Sequence, residues 1–246
     1  MKSWIGKENN KKDLKSVVEV PTKIMTNLLK IQNFLCNFVN FKNPPARATA
    51  IYFFQRTYTG IKDNDPEIIF YIVASLHLSS KVFDDARSIQ RFIDGLNEAR
   101  QNKDLQNSMP ALLNFKNFDP DYMQTIASKI INAENSIIYR LDFNFHIVLP
   151  YQSATYVSQC ISHWHIHPDH EKTVENFADK INNMTWLFLN GLQASHLFYK
   201  YPHDIVGMVT VCLACEIFKL PVVPIIRKRW FEYLLPFYDL SEVVEA

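Results

Sequence analysis

Two short stretches of the sequence combine residue types that bind metals or carry redox chemistry. The run 163–170 holds four histidines, and imidazole is a common zinc ligand. No cysteine pair flanks this run and its spacing fits no zinc finger, so a polar connector between helices is the favoured interpretation. Cys212 and Cys215 form a Cys-x-x-Cys inside an apolar stretch, whereas a redox pair needs an exposed helix N-terminus that lowers the thiol pKa. We therefore predict packing cysteines, no metal site and no cofactor.

The sequence contains no recognisable catalytic set. With only 5 glycines there is no Gly-rich phosphate loop, and no Ser-His-Asp arrangement or carboxylate pair lies in a suitable context. The net charge is +1, from 26 basic and 25 acidic residues. Such a balance gives no electrostatic footprint for direct nucleic-acid binding. Nothing in these patterns argues for an enzyme.

The stretch 65–87 predicts the helix around which the first half of the chain is organised. Pro66 suits the first turn of a helix, and the residues from Ile68 to Leu78 are almost all apolar. A helix that is apolar on every side is buried on every side. Because no span reaches the ~20 apolar residues that cross a bilayer, we expect a soluble domain with no membrane association.

A similar apolar helix is predicted at 202–218, where Pro202 follows Pro66 by 202 − 66 = 136 residues. This repeat indicates an all-α protein with two tandem helical domains. We predict a polar lead at 1–20, a first domain at 21–148 and a second domain at 149–246. Helical spacing of apolar residues or helix signals mark further helices at 21–41, 46–58, 86–101, 119–141, 151–164, 174–197 and 225–235. The segment 102–118 is predicted as a connector, and the second domain as incomplete, since only 239–246 remain for a fifth helix.

Several motifs resemble the cyclin family. The stretches ARATA (46–50) with YFFQR (52–56), HLSSKV (77–82), and Ala133-Glu134 followed by LDFNFHIVLPY (141–151) are similar to helices of transcription-type cyclins. The runs SSKVFDDARSIQRFI (79–93) and PHDIVGMVTVCLACEIFKLPV (202–222) most resemble L-type cyclins. The resemblance implies two tandem five-helix cyclin boxes, the second truncated.

The resemblance also implies a function. A cyclin is a non-catalytic subunit that binds and activates a cyclin-dependent protein kinase, here in the nucleus and in transcription or pre-mRNA processing. In the family, a Lys that ends the third helix and a Glu in the fifth form a polar clamp on the kinase, and these match Lys81 and Glu134. The apolar positions around the clamp match a set that would anchor the kinase: Leu78, Val82, Ile138, Phe143 and Phe145.

Alternatives to this interpretation remain at the level of sequence. Lys81 could be a cation at a helix C-terminus, where the helix dipole favours it, and Glu134 an ordinary solvated acid. A DNA-binding cyclin-fold factor of the general transcription initiation type uses the same doubled helical box. That class would have a basic face and an N-terminal zinc ribbon. The net charge of +1 and the lack of a Cys-x-x-Cys before residue 200 speak against it.

Overall fold

A computed structural model describes residues 20, 22–58, 65–110, 113–114, 120–163, 177–193, 195 and 197–218. Within these ranges all the regular structure is helical, as the sequence predicts. The chain divides into two compact units, residues 1–147 and 148–246. The predicted polar lead to residue 19, most of the histidine run and the predicted end of the second domain after residue 218 lie outside the described residues.

The first unit is built around one buried helix. Its helices are α1 (Thr22–Phe38), α2 (Pro44–Thr57), α3 (Ile68–Val82), α4 (Ile89–Gln101), α5 (Lys103–Ser108) and α6 (Pro120–Arg140). Helix α3 packs against α1, α2, α4 and α6, and all its residues except Tyr71, Lys81 and Val82 are buried. The largely apolar run thus forms the centre of this core.

Local capping signals set the ends of these helices. Asn43 caps α2 by accepting a hydrogen bond from the amide of Ala46 (3.3 Å), and Ser88 caps α4 in the same way. A side-chain oxygen at this position satisfies an amide that has no partner within the helix. The prediction that Pro66 lies in the first turn of α3 is wrong, since α3 begins at Ile68 and Pro66 lies in the preceding turn.

The predicted connector 102–118 contains the short helix α5. The side chain of Asn102 accepts hydrogen bonds from the amides of Asp104 and Leu105, both at 3.1 Å. These bonds start a helix in a polar stretch whose apolar residues are too few to signal one. Leu105, Met109 and Leu113 are buried, and they hold the connector against the core of the first unit.

The second unit also packs its helices around an apolar one. Its described helices are α7 (Pro150–His163), α8 (Phe177–Leu192), α9 (Leu197–Lys200) and α10 (His203–Ile217), of which α10 packs against the other three. The helix predicted at 174–197 ends at Leu192. A Cβ atom on Gly207 would lie 2.9 Å from both the carbonyl oxygen of Pro150 and the amide nitrogen of Ala154. The backbones of α7 and α10 therefore meet at this glycine.

We expect Gly207→Ala to lower the melting temperature, because the added methyl group meets backbone atoms that cannot rotate away. Overpacking of this kind costs about 1–3 kcal/mol. Gly191→Ala is the matched control, since its Cβ would meet no atom within 4 Å. Thermal unfolding followed by circular dichroism compares the two variants, and equal melting temperatures would contradict the close approach of α7 and α10.

Candidate functional site

A buried carboxylate joins α3 to α6 in the first unit. Lys81, the penultimate residue of α3, donates a hydrogen bond from Nζ to Oε1 of Glu134, in the middle of α6. The other carboxylate oxygen, Oε2, lies 2.7 Å from Nδ1 of His77. The structure therefore brings the two residues of the predicted clamp into direct contact and adds a third, His77.

The two members of the ion pair differ in their access to solvent. The side chain of Glu134 is 7% exposed, whereas that of Lys81 is 46% exposed. Burial alone would raise the pKa of Glu134. The hydrogen bonds and positive charge contributed by His77 and Lys81 outweigh burial and lower this pKa below its usual value of 4.5. Glu134 is thus an ionised buried group, and Lys81 presents the pair at the surface.

Sequence reasoning missed His77, although a signal was present. His77 and Lys81 are four residues apart on α3, and side chains at that spacing share one face of a helix. A polar residue one turn before Lys81 could therefore reach the same partner. In the sequence, His77 is one of several polar residues in the buried run, with Ser75 and Ser79, and its partner lies 57 positions away.

The five predicted apolar positions fall into three environments. Leu78 is 4% exposed and belongs to the core, so it offers little surface to a partner. Val82, Ile138 and Phe145 are half-buried, and Phe143 is exposed. The ring of Phe145 packs edge-on against Phe53, with 6.2 Å between ring centroids.

Phe143 is the predicted apolar position with the largest described exposure, at 61%. Its ring packs edge-on against Tyr139, itself 72% exposed, at 5.6 Å between centroids. The backbone at Asp142 and Phe143 is left-handed, with φ of 51° and 58°, a conformation that a bulky residue rarely adopts. The turn after α6 thus holds an aromatic pair out in solvent.

The other candidate chemistry does not assemble within the described residues. Burial raises the pKa of Cys212 to about 12 and that of Cys215 to about 11, so both thiols are protonated at neutral pH and are poor nucleophiles. No group of three His, Cys, Asp or Glu side chains suited to a metal ion is found in the described part of the chain. In that part, too, no helix is long and apolar enough to cross a membrane.

Comparison with known proteins places this geometry in context. No family model matches the chain. Human Cyclin-L2 is 23% identical over 189 residues, which cover 76% of this chain and 32% of that protein, so the match spans about a third of the relative's length. A chain from the crystal structure of the yeast RNA Pol II CTD kinase CTDK-1 complex aligns with a TM-score of 0.64 and 16% identity, over 98% of this chain and 69% of that one. This chain has a cyclin fold. Its similarity to transcription-type cyclins, predicted from the motifs, is confirmed by the sequence match.

The lowered pKa of Glu134 predicts a contribution to stability that depends on pH. A carboxylate whose pKa is lower in the folded state stabilises the protein above its unfolded-state pKa, and this stabilisation is lost as the pH falls through the folded-state value. We expect the wild type to exceed Glu134→Gln in free energy of unfolding at neutral pH. The difference should narrow below the ordinary pKa of 4.5. Urea unfolding at a series of pH values measures the difference in free energy of unfolding between the two proteins. If this difference does not change with pH, Glu134 is not held ionised by its neighbours.

Proposed function

We propose that this protein is a regulatory cyclin subunit that binds and activates a cyclin-dependent protein kinase as a heterodimer, in the nucleus and in transcription or pre-mRNA processing. The cyclin fold and the similarity to human Cyclin-L2 support the class of subunit. The structural neighbour comes from a complex of an RNA Pol II CTD kinase, which supports a kinase partner and a link to transcription.

The observation that carries this proposal is the half-exposed side chain of Lys81, whose ammonium group is held at the end of α3 by a buried carboxylate. An ammonium group has three N–H donors, and the bond to Glu134 uses one of them. The remaining donors can bind backbone carbonyls of a partner. Since Glu134 is almost fully buried, its part in the clamp is to hold Lys81, rather than to reach the kinase itself.

Apolar side chains on α3, on α6 and in the turn that follows α6 are the second component of the proposed binding site. The exposed rings of Tyr139 and Phe143 follow Glu134 on α6 and in its terminal turn, and Ile138 and Val82 are half-buried on α6 and α3. Interfaces commonly draw most of their binding energy from a few aromatic anchors next to desolvated polar contacts. The exposed charge of Lys81 and the exposed ring of Phe143 are the polar and aromatic contacts that we propose for the kinase on the first unit.

Binding at this surface activates a kinase without any catalytic group from the cyclin. A protein kinase is active only when the Glu of its C-helix pairs with the Lys that positions ATP. A partner that holds the C-helix in this position stabilises the active arrangement over the inactive one. The cyclin therefore contributes binding energy to a conformational equilibrium in the kinase.

Replacing both clamp residues, in Lys81→Ala with Glu134→Ala, should abolish kinase activation. Loss of a desolvated polar contact costs about 2–5 kcal/mol of binding free energy, while removal of both charges together leaves no unpaired carboxylate in the core. The measurement is co-expression of the full chain with a panel of cyclin-dependent kinase catalytic subunits, followed by assay of phosphate transfer to a peptide of the polymerase tail.

Glu67→Ala with Lys129→Ala is the matched control for the clamp variant. This exposed ion pair, at 2.8 Å, also links the region of α3 to α6, but it lies at the other end of α3, roughly 20 Å from Lys81 by helix geometry. The control should activate the kinase like the wild type. Full activation by the clamp variant would reject the assignment of Lys81 and Glu134. Binding to duplex DNA that weakens with added salt, with no kinase activated, would instead favour the DNA-binding alternative.

Phe143 and Phe145 should respond differently to replacement by alanine. Phe143→Ala should lower kinase affinity by about tenfold or more, with little change in melting temperature, because its ring is largely exposed. Phe145→Ala should lower the melting temperature, because its ring packs against Phe53. Calorimetry measures the affinity for the kinase, and thermal unfolding measures the melting temperature, so the two methods together separate the two effects. A loss of kinase affinity in Phe145→Ala, together with a lower melting temperature in Phe143→Ala, would show that Phe145 is the anchor.

A further inference from the structure

The imidazole of His77 occupies a defined position behind the clamp. His77 is 9% exposed and lies one helical turn before Lys81 on α3. Its ring packs edge-on against Phe92 of α4, with 5.9 Å between centroids and 82° between planes. Phe92 is completely buried. The ring of His77 is therefore held from one side by α4, and its Nδ1 faces α6.

The chemistry of Glu134 fixes the direction of the hydrogen bond to His77. An ionised carboxylate has only acceptors, so Nδ1 of His77 must carry the proton in this contact, whether the ring is neutral or charged. The proton is assigned from the partner, since tautomers follow from the hydrogen-bond network. His77 thus donates from Nδ1 to Oε2 at 2.7 Å.

The same contact fixes the direction of the other carboxylate oxygen. The terminal torsion of a Glu side chain has a broad energy profile and by itself does not choose an orientation. With Oε2 held by His77, the carboxylate cannot rotate without breaking a buried hydrogen bond, and Oε1 stays directed at Lys81. The position of the surface ammonium is thereby linked to a buried ring on the same helix.

We propose that His77 is a positioning residue for kinase binding, which acts through Glu134 to fix the ammonium group of Lys81 at the surface of the first unit. This inference rests on the proposed function and extends it to a residue with almost no surface of its own. It separates three roles within the cluster: Lys81 touches the partner, Glu134 holds Lys81, and His77 orients Glu134.

Three substitutions at position 77 test the role of the Nδ1 donor. His77→Leu removes the donor, His77→Asn keeps an N–H near the position of Nδ1, and His77→Gln moves it outward. A hydrogen bond to a charged group contributes about 1.5–3 kcal/mol, so His77→Leu should lower affinity for the kinase activated in the co-expression panel by about tenfold. His77→Asn should stay within about threefold of the wild type by the same reasoning, and His77→Gln should fall between them. This dependence on donor position would not arise if His77 only filled space.

A double-mutant cycle shows whether His77 acts through Glu134. In the Glu134→Gln background, His77→Leu should change affinity by less than about twofold, because residues that act as one unit are not additive. His77→Leu binding like the wild type would overturn the inference, and so would an equal loss in both backgrounds.

A measurement on the protein without kinase distinguishes a folding defect in His77→Leu from loss of the positioning role. Carbon NMR of the Glu134 side-chain carboxyl should show a higher pKa in His77→Leu than in the wild type and in His77→Asn. An unchanged Glu134 titration in a folded His77→Leu variant would overturn the positioning role. If the wild type activates no kinase in the panel, the proposed function and this inference fail together. If His77→Leu binds the kinase with wild-type affinity and activates it, the positioning role of His77 is rejected and the proposed function stands.

Discussion

The carboxylate of Glu134 cannot remain buried without partners, and this constraint organises the first unit. An ionised carboxylate away from water is strongly unfavourable unless it is paired and hydrogen-bonded. Helix α3 supplies both partners, His77 and Lys81, one turn apart, and Phe92 on α4 supports the ring of His77. The register of α3 against α4 and α6 is therefore linked to a polar interaction as well as to apolar packing. Removal of His77 or Lys81 alone would leave the buried carboxylate of Glu134 with one partner in place of two, at a cost in stability.

The central helix of each unit follows the same apolar pattern, but the described residues place a buried charge only in the first. In the second unit the buried polar residues that the structure describes are Ser158, Thr185, Gln193 and Thr210, and none of them is ionisable in the neutral range. Helix α10 there meets α7 at Gly207, where the fit depends on the absence of a side chain. The two central helices thus share an apolar pattern but differ in their polar contacts, and the candidate site lies on the first unit.

The sequence predicts the parts of this protein that depend on long apolar runs or on family motifs. Helices α3 and α10 follow from runs that no exposed helix would carry, and the motifs around Lys81 and Glu134 single out that pair. His77 was not predicted because its role depends on a residue distant in the chain. Helix α5 was not predicted because a six-residue helix is set by the cap at Asn102 rather than by periodicity.

The alternating residues Phe143 and Phe145 mark the limit of what pattern alone can decide. They follow the end of α6, where helical spacing no longer applies, and either ring could face the core. The left-handed backbone at Asp142 and Phe143 turns the chain so that Phe143 faces solvent and Phe145 reaches Phe53. Phe143 gives no sequence signal for such a turn, because left-handed backbone is typical of Gly, Asn and Asp.

At Phe143, the requirement for a stable fold and the requirement for an exposed binding surface favour different residues. A left-handed conformation at a bulky residue is unfavourable by about 1–2 kcal/mol, and a glycine at this position would relieve that strain. The same exchange would delete an aromatic surface that contributes little to the fold. Drift toward greater thermal stability would therefore tend to erase the ring, and its retention in a lineage would indicate that the surface is used.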